Sequence, residues 1–251
     1  MILAILQARV SSTRLPGKAL MKILGRPMLS YEIERIRRCR RIDELLVATT
    51  HHAEDDAIAS LCSALGVNCF RGAREDVLDR FYQAAKPVKP DHVVRLTGDC
   101  PLLDPDIIDQ TIDYYLQGGF DYTSNALDPT FPDGLDTEIF RYRILEEAWE
   151  EATLLSQREH VTPFFYQHKN RYRVGVYKNS RDLSKLRWTV DEAIDFEVIR
   201  KIYESLYPIN PEFRTSDILK LLARQPDLGR LNQHIERNWG YKTSLSQDKH
   251  V

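Results

Sequence analysis

The residues best suited to chemistry fall in widely separated groups. The first is Gln7-Ala8-Arg9-Val10-Ser11-Ser12-Thr13-Arg14-Leu15-Pro16-Gly17-Lys18, where Arg9, Arg14 and Lys18 sit among small hydroxyl residues and Pro16-Gly17 imposes a turn before Lys18. A loop with fixed cations and free backbone N–H groups is suited to holding a polyphosphate. The second group is Leu96-Thr97-Gly98-Asp99-Cys100-Pro101-Leu102, in which Gly98 allows close backbone approach to a ligand and Asp99 supplies a carboxylate. The third is Arg187-Trp188-Thr189-Val190-Asp191. Each carboxylate has a structural explanation alone, Asp99 as a turn former and Asp191 as a helix N-cap. Taken together, two carboxylates at strand ends beside a cationic loop suit Mg²⁺ shared with a polyphosphate, because Mg²⁺ takes one or two carboxylates plus phosphate oxygens.

Two more groups carry polar chemistry. In Phe70-Arg71-Gly72-Ala73-Arg74-Glu75-Asp76-Val77-Leu78-Asp79-Arg80, Arg71 and Gly72 are placed to approach a base or ribose, and Asp79 and Arg80 read as a surface pair or as supporting contacts. Asp133, Gly134, Asp136 and Glu138 join Arg158 and His160 in a region of donors and acceptors suited to a carboxylate-bearing or hydroxyl-rich substrate. The P-loop pattern is missing, since Ser12 stands at its first glycine position and Ala19 follows Lys18; the G-x-G-x-x-G dinucleotide fingerprint is absent too. Dehydrogenase and P-loop kinase readings are thereby disfavoured.

The elements that must position these residues follow from hydrophobic pattern. Ile2–Leu6, Leu45–Thr49, Val67–Phe70 and His92–Leu96 read as short buried strands, separated by helical stretches at 27–39, 54–65 and 75–86, with a further helix opening at Asp104-Pro105. This alternation predicts an α/β fold: a mostly parallel sheet with helices on both faces, three layers α/β/α. The polar groups then fall at strand carboxyl ends, where such sheets bind ligands. Beyond Gly119 the rhythm changes, and residues 121–185 read as an insertion, lid-like or dimerising, within one domain spanning 1–251. Leu186–Val190 is expected to be the last strand of the main sheet, Ala193–Leu206 an amphipathic helix, and 243–251 a fraying tail.

Composition narrows the class. The chain has 251 residues, a formal net charge of -2, 43% apolar and 29% charged residues, as in ordinary globular proteins. There is no global basic field to bind nucleic acid, and no apolar run approaches the roughly 20 residues of a membrane span. The N-terminus lacks the layout of a secretory signal, so a cytoplasmic protein is expected. Cys39, Cys62, Cys69 and Cys100 form no C-x-x-C pair and read as reduced thiols.

The strings Arg9 to Lys18, Asp76-Val77-Leu78-Asp79-Arg80, Thr97 to Leu102, Phe131 to Asp136, Arg158-Glu159-His160-Val161-Thr162-Pro163 and Arg187 to Asp191 closely resemble the spore coat polysaccharide biosynthesis protein F family. That family is similar to the cytidylyltransferases that include CMP-sialate and CMP-Kdo synthetases, and the resemblance spans roughly residues 1–205. It implies a nucleotide-diphospho-sugar transferase (Rossmann-like) fold, with a sugar hydroxyl attacking the α-phosphorus of CTP and pyrophosphate leaving. By the same resemblance Arg14 and Lys18 neutralise the β- and γ-phosphates, Asp99 and Asp191 hold Mg²⁺, and Leu6, Gln7 and Ala8 with Arg71 surround cytosine and ribose. Arg9, Ser12, Gly72, Asp79, Thr97 and Gly98 complete the expected nucleotide site. The insertion is implied to bind a sugar acid of nonulosonic type and to form a homodimer. A nucleotidyltransferase using another NTP, or a glycosyltransferase using a preformed nucleotide sugar, stays open at this point.

Overall fold

The computed structural model describes residues 1–250. Its first strand, β1 (Ile2–Gln7), shows why the sequence reads as a buried strand. Leu3 and Ile5 point into one apolar cluster, while Ile2, Ala4 and Leu6 point into another on the opposite face. Residues two apart share a face, so a strand covered on both sides must be apolar throughout.

A short hairpin follows, β2 (Lys22–Ile23) with β3 (Arg26–Pro27), then α1 (Met28–Ile36), β4 (Glu44–Thr50), α2 (Asp56–Leu65), β5 (Asn68–Gly72), α3 (Val77–Ala85), β6 (His92–Thr97) and α4 (Pro105–Gly118). Asp76 caps α3 by accepting from Asp79 N–H at 2.8 Å, and Asp104 caps α4 ahead of Pro105. Gly119 ends α4 at φ 62°, a left-handed conformation that favours glycine. The remaining elements are β7 (Tyr122–Ser124), β8 (Glu138–Arg141), α5 (Tyr142–Glu151), α6 (Leu155–His160), α7 (Pro163–Gln167), β9 (Val174–Val176), α8 (Ala193–Leu206), α9 (Thr215–Arg224), α10 (Pro226–Arg230) and α11 (Trp239–Ser246).

The seven-stranded sheet has the order β5-β4-β1-β6-β8-β7-β9. Pairings are parallel except those of β8, which runs against both β6 and β7. In register, Ile5 lies between Leu46 of β4 and Arg95 of β6. Helices α1, α2 and α4 cover one face, while α3, α5 and α7 cover the other. The fold is thus the three-layer α/β/α architecture with a mostly parallel sheet. A third apolar cluster joins Trp188 and Val190 to α8 and α9, through Phe196, Ile199, Ile202, Ile218 and Leu222. Among the described residues no helix is long and apolar enough to cross a membrane.

The structure differs from the sequence reading at two places. Leu186–Val190 forms no strand of the sheet. Its ladder contact is an isolated bridge between Asp133 and Arg187, and its N–H groups go to loops: Trp188 N–H to Asp133 O at 2.6 Å and Val190 N–H to Asp99 O at 2.8 Å. The sheet ends at β9, so this apolar stretch is buried against helices and ligand loops rather than in a ladder. The tail expected to fray from residue 243 continues α11 through Ser246 and then docks on α6. Asp248 accepts from Ser156 N–H at 3.0 Å and Ser156 Oγ at 2.7 Å, and Leu155 N–H donates to Lys249 O at 2.9 Å. Val251 lies outside the described residues. Residues 121–185 supply β7, β8 and β9 to the main sheet together with α5–α7.

Candidate active site

At the carboxyl ends of β1 and β6 the chain leaves the sheet in two loops that touch. Gly98 N–H donates to Gln7 O at 2.7 Å. A Cβ on Gly98 would stand 2.8 Å from Ala8 Cβ and 2.9 Å from Gln7 O, closer than side chains pack. The first loop folds on itself, with Ser12 and Gly17 N–H both donating to Val10 O at 2.8 and 2.9 Å. Its Val10 N–H donates to buried Asp55 at 2.7 Å. Gly17, at φ 77°, turns the chain so that Lys18 enters the interior.

Lys18 is the centre of the charge arrangement. Only 8% exposed, its Nζ donates to Asp99 Oδ2 at 3.0 Å, Asp191 Oδ1 at 3.0 Å and Val190 O at 2.6 Å. Arg14 pairs with Asp191 Oδ1 at 2.9 Å. Burial works against the Lys18 charge, but Asp99 and Asp191 outweigh it and raise its pKa. Burial likewise pushes the Asp99 carboxyl up; Lys18 and the Thr97 hydroxyl more than offset this and hold it at about 2. Both groups are charged at neutral pH.

Arg187 fixes Asp191 from behind. It donates to Asp191 Oδ2 at 3.0 Å, Asp133 Oδ2 at 2.8 Å and both oxygens of Asp195 at 2.9 and 3.0 Å. The structural alternative for Asp191, a helix N-cap, does not hold. The N–H groups of Asp191 and Glu192 donate instead to Asp195 Oδ2, each at 3.0 Å, which leaves the Asp191 side chain facing the cations. The donor set fits Mg²⁺ in part. Asp99 and Asp191 converge on one cation and offer two carboxylates, and among the described residues no cluster of three or more ligating side chains exists. Mg²⁺ held there would complete its shell with phosphate and water oxygens.

These charges stand where two chambers of one cleft meet. A chamber of about 310 Å³ is lined by Gln7, Ala8, Arg9, Ser12, Lys18 and Gly98, with Val77 and Arg80 on its far wall. The other, about 270 Å³, is lined by Asp133, Asp136, Glu138, Thr162, Tyr166 and Tyr241. Arg14, Arg95, Thr97, Asp99, His160, Asp191, Trp239 and Gly240 border both. In the second chamber burial raises Asp136 to about 7, with Arg237 opposing and Asp133 and Glu138 reinforcing. Burial also raises Asp133, although Arg237 and Arg187 oppose it. Burial lowers His160 to about 4, so it is neutral at pH 7; its Nε2 lies 2.9 Å from Ser244 Oγ.

Of the residues expected in the site, several lie elsewhere. Leu6 is core. Arg71 does not line the cleft: it donates to Thr50 O and His52 O and pairs with Asp56 at 2.6 Å. Gly72 packs under Phe70 and Arg80. Asp79 accepts from Trp149 Nε1 at 2.8 Å and Gln83 at 3.1 Å. Arg158 binds Asp76 and Trp149 O, bracing α3 against α6. Gly134 shapes the site through its backbone: at φ 103° it lies against Trp188 and Thr189, where a Cβ would come within 2.4 Å of Thr189 N. Sequence reading missed Arg80, Arg95, Tyr166 and Trp239 as lining residues. Arg95 carried a signal, a charge inside an apolar strand run; it pairs with Glu138, which also accepts from Tyr122 Oη at 2.5 Å. Trp239 carried none.

A sequence profile of the cytidylyltransferase family matches residues 3–221. The chain is 34% identical over 235 residues to the spore coat polysaccharide biosynthesis protein SpsF of Bacillus subtilis, covering 90% of this chain and 95% of that one. It is 42% identical over 113 residues, 43% of each chain, to the 3-deoxy-manno-octulosonate cytidylyltransferase of Nitratidesulfovibrio vulgaris. A solved cytidylyltransferase from Leptospira borgpetersenii superposes with a TM-score of 0.87 at 33% identity, over 94% of this chain and 99% of that one. A cationic β1 loop, a carboxylate pair and a matching family profile leave one assignment: the chain belongs to the cytidylyltransferase family, and is a nucleotidyltransferase that uses CTP.

Proposed function

We propose that this chain catalyses the Mg²⁺-dependent transfer of CMP from CTP to a hydroxyl group of a sugar acid, releasing pyrophosphate, and so makes an activated sugar for surface polysaccharide or glycan synthesis. The observation that carries the reading is Lys18 Nζ held 3.0 Å from both Asp99 and Asp191, with Arg14 beside them, at the seam between two chambers. A transfer between two substrates needs one volume for each and the charged groups where they meet. Names of relatives support the acceptor class: one acts in spore coat polysaccharide synthesis and one on 3-deoxy-manno-octulosonate.

In this reading CTP occupies the chamber lined by the β1 loop, and the acceptor occupies the one lined by Asp133, Asp136 and Glu138. The acceptor oxygen forms a bond to the α-phosphorus as the α–β bridging bond breaks. Negative charge grows on the departing pyrophosphate, and fixed positive charge stands beside it: Arg14 keeps donors beyond its bond to Asp191, while Lys18, whose three N–H bonds go to Asp99, Asp191 and Val190 O, contributes through its charge. Mg²⁺ held by Asp99 and Asp191 would add positive charge at the phosphates. Asp136, raised to about 7, has the basicity to take the hydroxyl proton near neutral pH. Residues 121–185 serve acceptor binding and pairing of two copies; light scattering at twice the chain's mass checks the latter.

Pyrophosphate release tests the reading, with CTP, UTP and GTP offered against 3-deoxy-manno-octulosonate and nonulosonic acids, with and without Mg²⁺. Turnover is expected with CTP, Mg²⁺ and a sugar acid, and Lys18→Ala is expected to lose roughly 10²–10³ in turnover, like removal of a preorganised donor at developing charge. Preference for UTP or GTP, or near-normal turnover of Lys18→Ala, refutes it.

A further inference from the structure

Part of the lining shared by the two chambers comes from the C-terminal helix, which lies beyond the residues 3–221 matched by the family profile. Asn238, in a left-handed conformation at φ 59°, turns the chain into α11, and the next two residues, Trp239 and Gly240, border both chambers. The Trp239 ring is 48% exposed, yet it meets a specific partner: the Arg14 guanidinium stands 5.3 Å from the ring centroid. Arg14 is thereby held from two sides, by the ring and by Asp191 at 2.9 Å.

Nothing in the packing of α11 requires a tryptophan there. No residue of the helix is buried. It is held to α6 by polar contacts and one edge-on ring contact: Ser244 Oγ donates to Glu159 Oε2 at 2.7 Å, Asp248 holds the N–H and hydroxyl of Ser156, and the Tyr241 ring meets His160 at 5.1 Å between centroids. A large aromatic ring kept half in water on a helix without a core face is explained by what it does in the cleft.

We propose that Trp239 is a positioning residue for nucleotidyl transfer: it holds Arg14 toward the departing pyrophosphate and covers the cleft where the chambers meet, so that the acceptor hydroxyl rather than water reaches the α-phosphorus. The inference rests on the cytidylyl-transfer reading above. In productive turnover the acceptor oxygen bonds to phosphorus, pyrophosphate leaves and the hydroxyl proton is released. In the side reaction that the ring suppresses, a water oxygen bonds to phosphorus, and CMP, pyrophosphate and a proton result. Excluding water from a reacting centre prevents this loss.

The test measures CTP affinity and acceptor-independent release of CMP and pyrophosphate, with Mg²⁺ and CTP as the only additions. Trp239→Ala is expected to weaken CTP binding about 2- to 5-fold, the range for one cation–π contact at a partly exposed site, and to raise hydrolysis above that of the parent. Trp239→Phe restores both, because the ring face is kept. Asp248→Ala leaves the cleft side chains intact but removes one of the ties between the α11 segment and α6, the Ser244 and Tyr241 contacts remaining, and shifts both readouts in the same direction by less than Trp239→Ala. Parental affinity and hydrolysis in Trp239→Ala, or changes that Phe does not reverse, overturn the proposal. Neither readout needs an acceptor, so failure of the sugar-acid reading appears separately, as wild-type enzyme that forms no CMP-sugar.

Discussion

Replacing Lys18 by Met removes one charge and keeps most of the volume of the stem, so the change tests electrostatics with little loss of packing. Lys18 makes three charged hydrogen bonds, at 2.6, 3.0 and 3.0 Å, two of them to carboxylates. Breaking a buried pair by removing one partner costs about 3–5 kcal/mol, because the remaining charges stay buried without compensation. The deficit carries a pH signature. In the parent, Asp99 is lowered from 3.8 to about 2, worth about 1–2 kcal/mol after allowing for solvent reaching the carboxylate. A lowered carboxyl pKa contributes stability that is complete above about pH 4 and is lost as pH falls toward about 2. Lys18, raised above its ordinary value, contributes throughout this range and loses its contribution only as the pH rises through its folded pKa. In the variant only the hydrogen bonds of Thr97 and Cys100 still lower Asp99, against the burial that drives its carboxyl up. The gap between parent and variant is therefore widest near pH 7.5 and shrinks toward pH 4, where the variant's carboxylates take up protons. Urea denaturation at several pH values, followed by circular dichroism, measures it. A deficit under about 1 kcal/mol at pH 7.5, or one that does not change with pH, refutes the assignment of Lys18 as the cation that keeps this carboxylate pair together.

Two other substitutions probe the support of the site. Arg187→Met leaves Asp133, Asp191 and Asp195 without their shared cation, and is expected to cost about 3–5 kcal/mol in denaturant unfolding; a loss below about 1 kcal/mol contradicts the role given to this cation. Gly98→Ala drives a methyl group to 2.8 Å from Ala8 and 2.9 Å from Gln7 O, and the overpacking is expected to cost about 1–3 kcal/mol. Because it parts the β1 and β6 loops, KM for CTP rises in steady-state assays; an unchanged KM shows that the close approach does not set the nucleotide chamber.

Much of this was legible in the sequence, for physical reasons that also mark where legibility stops. Lys18 and Asp99 stand out because their polar loops follow apolar strands that end at the ligand-binding edge of a parallel sheet, and Asp191 because it ends an apolar run that is buried without joining that sheet. The hydrophobic alternation gave β1, β4, β5 and β6 their order, and Asp104-Pro105 its helix start. The stretch at 186–190 was misread as a strand because burial, not pairing, makes it apolar: Trp188 is 1% exposed while its N–H groups go to loops. Arg71 and Asp79 had the chemistry expected of a site, but their partners Asp56 and Trp149 are set by tertiary packing that no local pattern carries. Of the two readings of Arg80, a surface pair or a supporting contact, its burial favours the second: the guanidinium donates to Ala73 O at 2.6 Å. The tail after Lys242 reads as fraying because it is mostly polar; the contacts it makes, Ser244 with Glu159 and Asp248 with Ser156, join residues far apart in the chain and leave no local pattern.

The contacts of Lys18 span long stretches of chain: 81 residues to Asp99 and 173 to Asp191. Closing a loop grows costlier with its length, and contacts across such distances form late in folding. The first closure can come with the pairing of β1 and β6, but the second waits until α8 and its preceding segment have docked. A nascent or partly refolded chain therefore carries its sheet, and a share of its CTP chamber, before it carries catalytic competence. Recovery of activity during refolding reports the joining of the last third of the chain to the first twenty residues, and should lag behind the recovery of sheet signal.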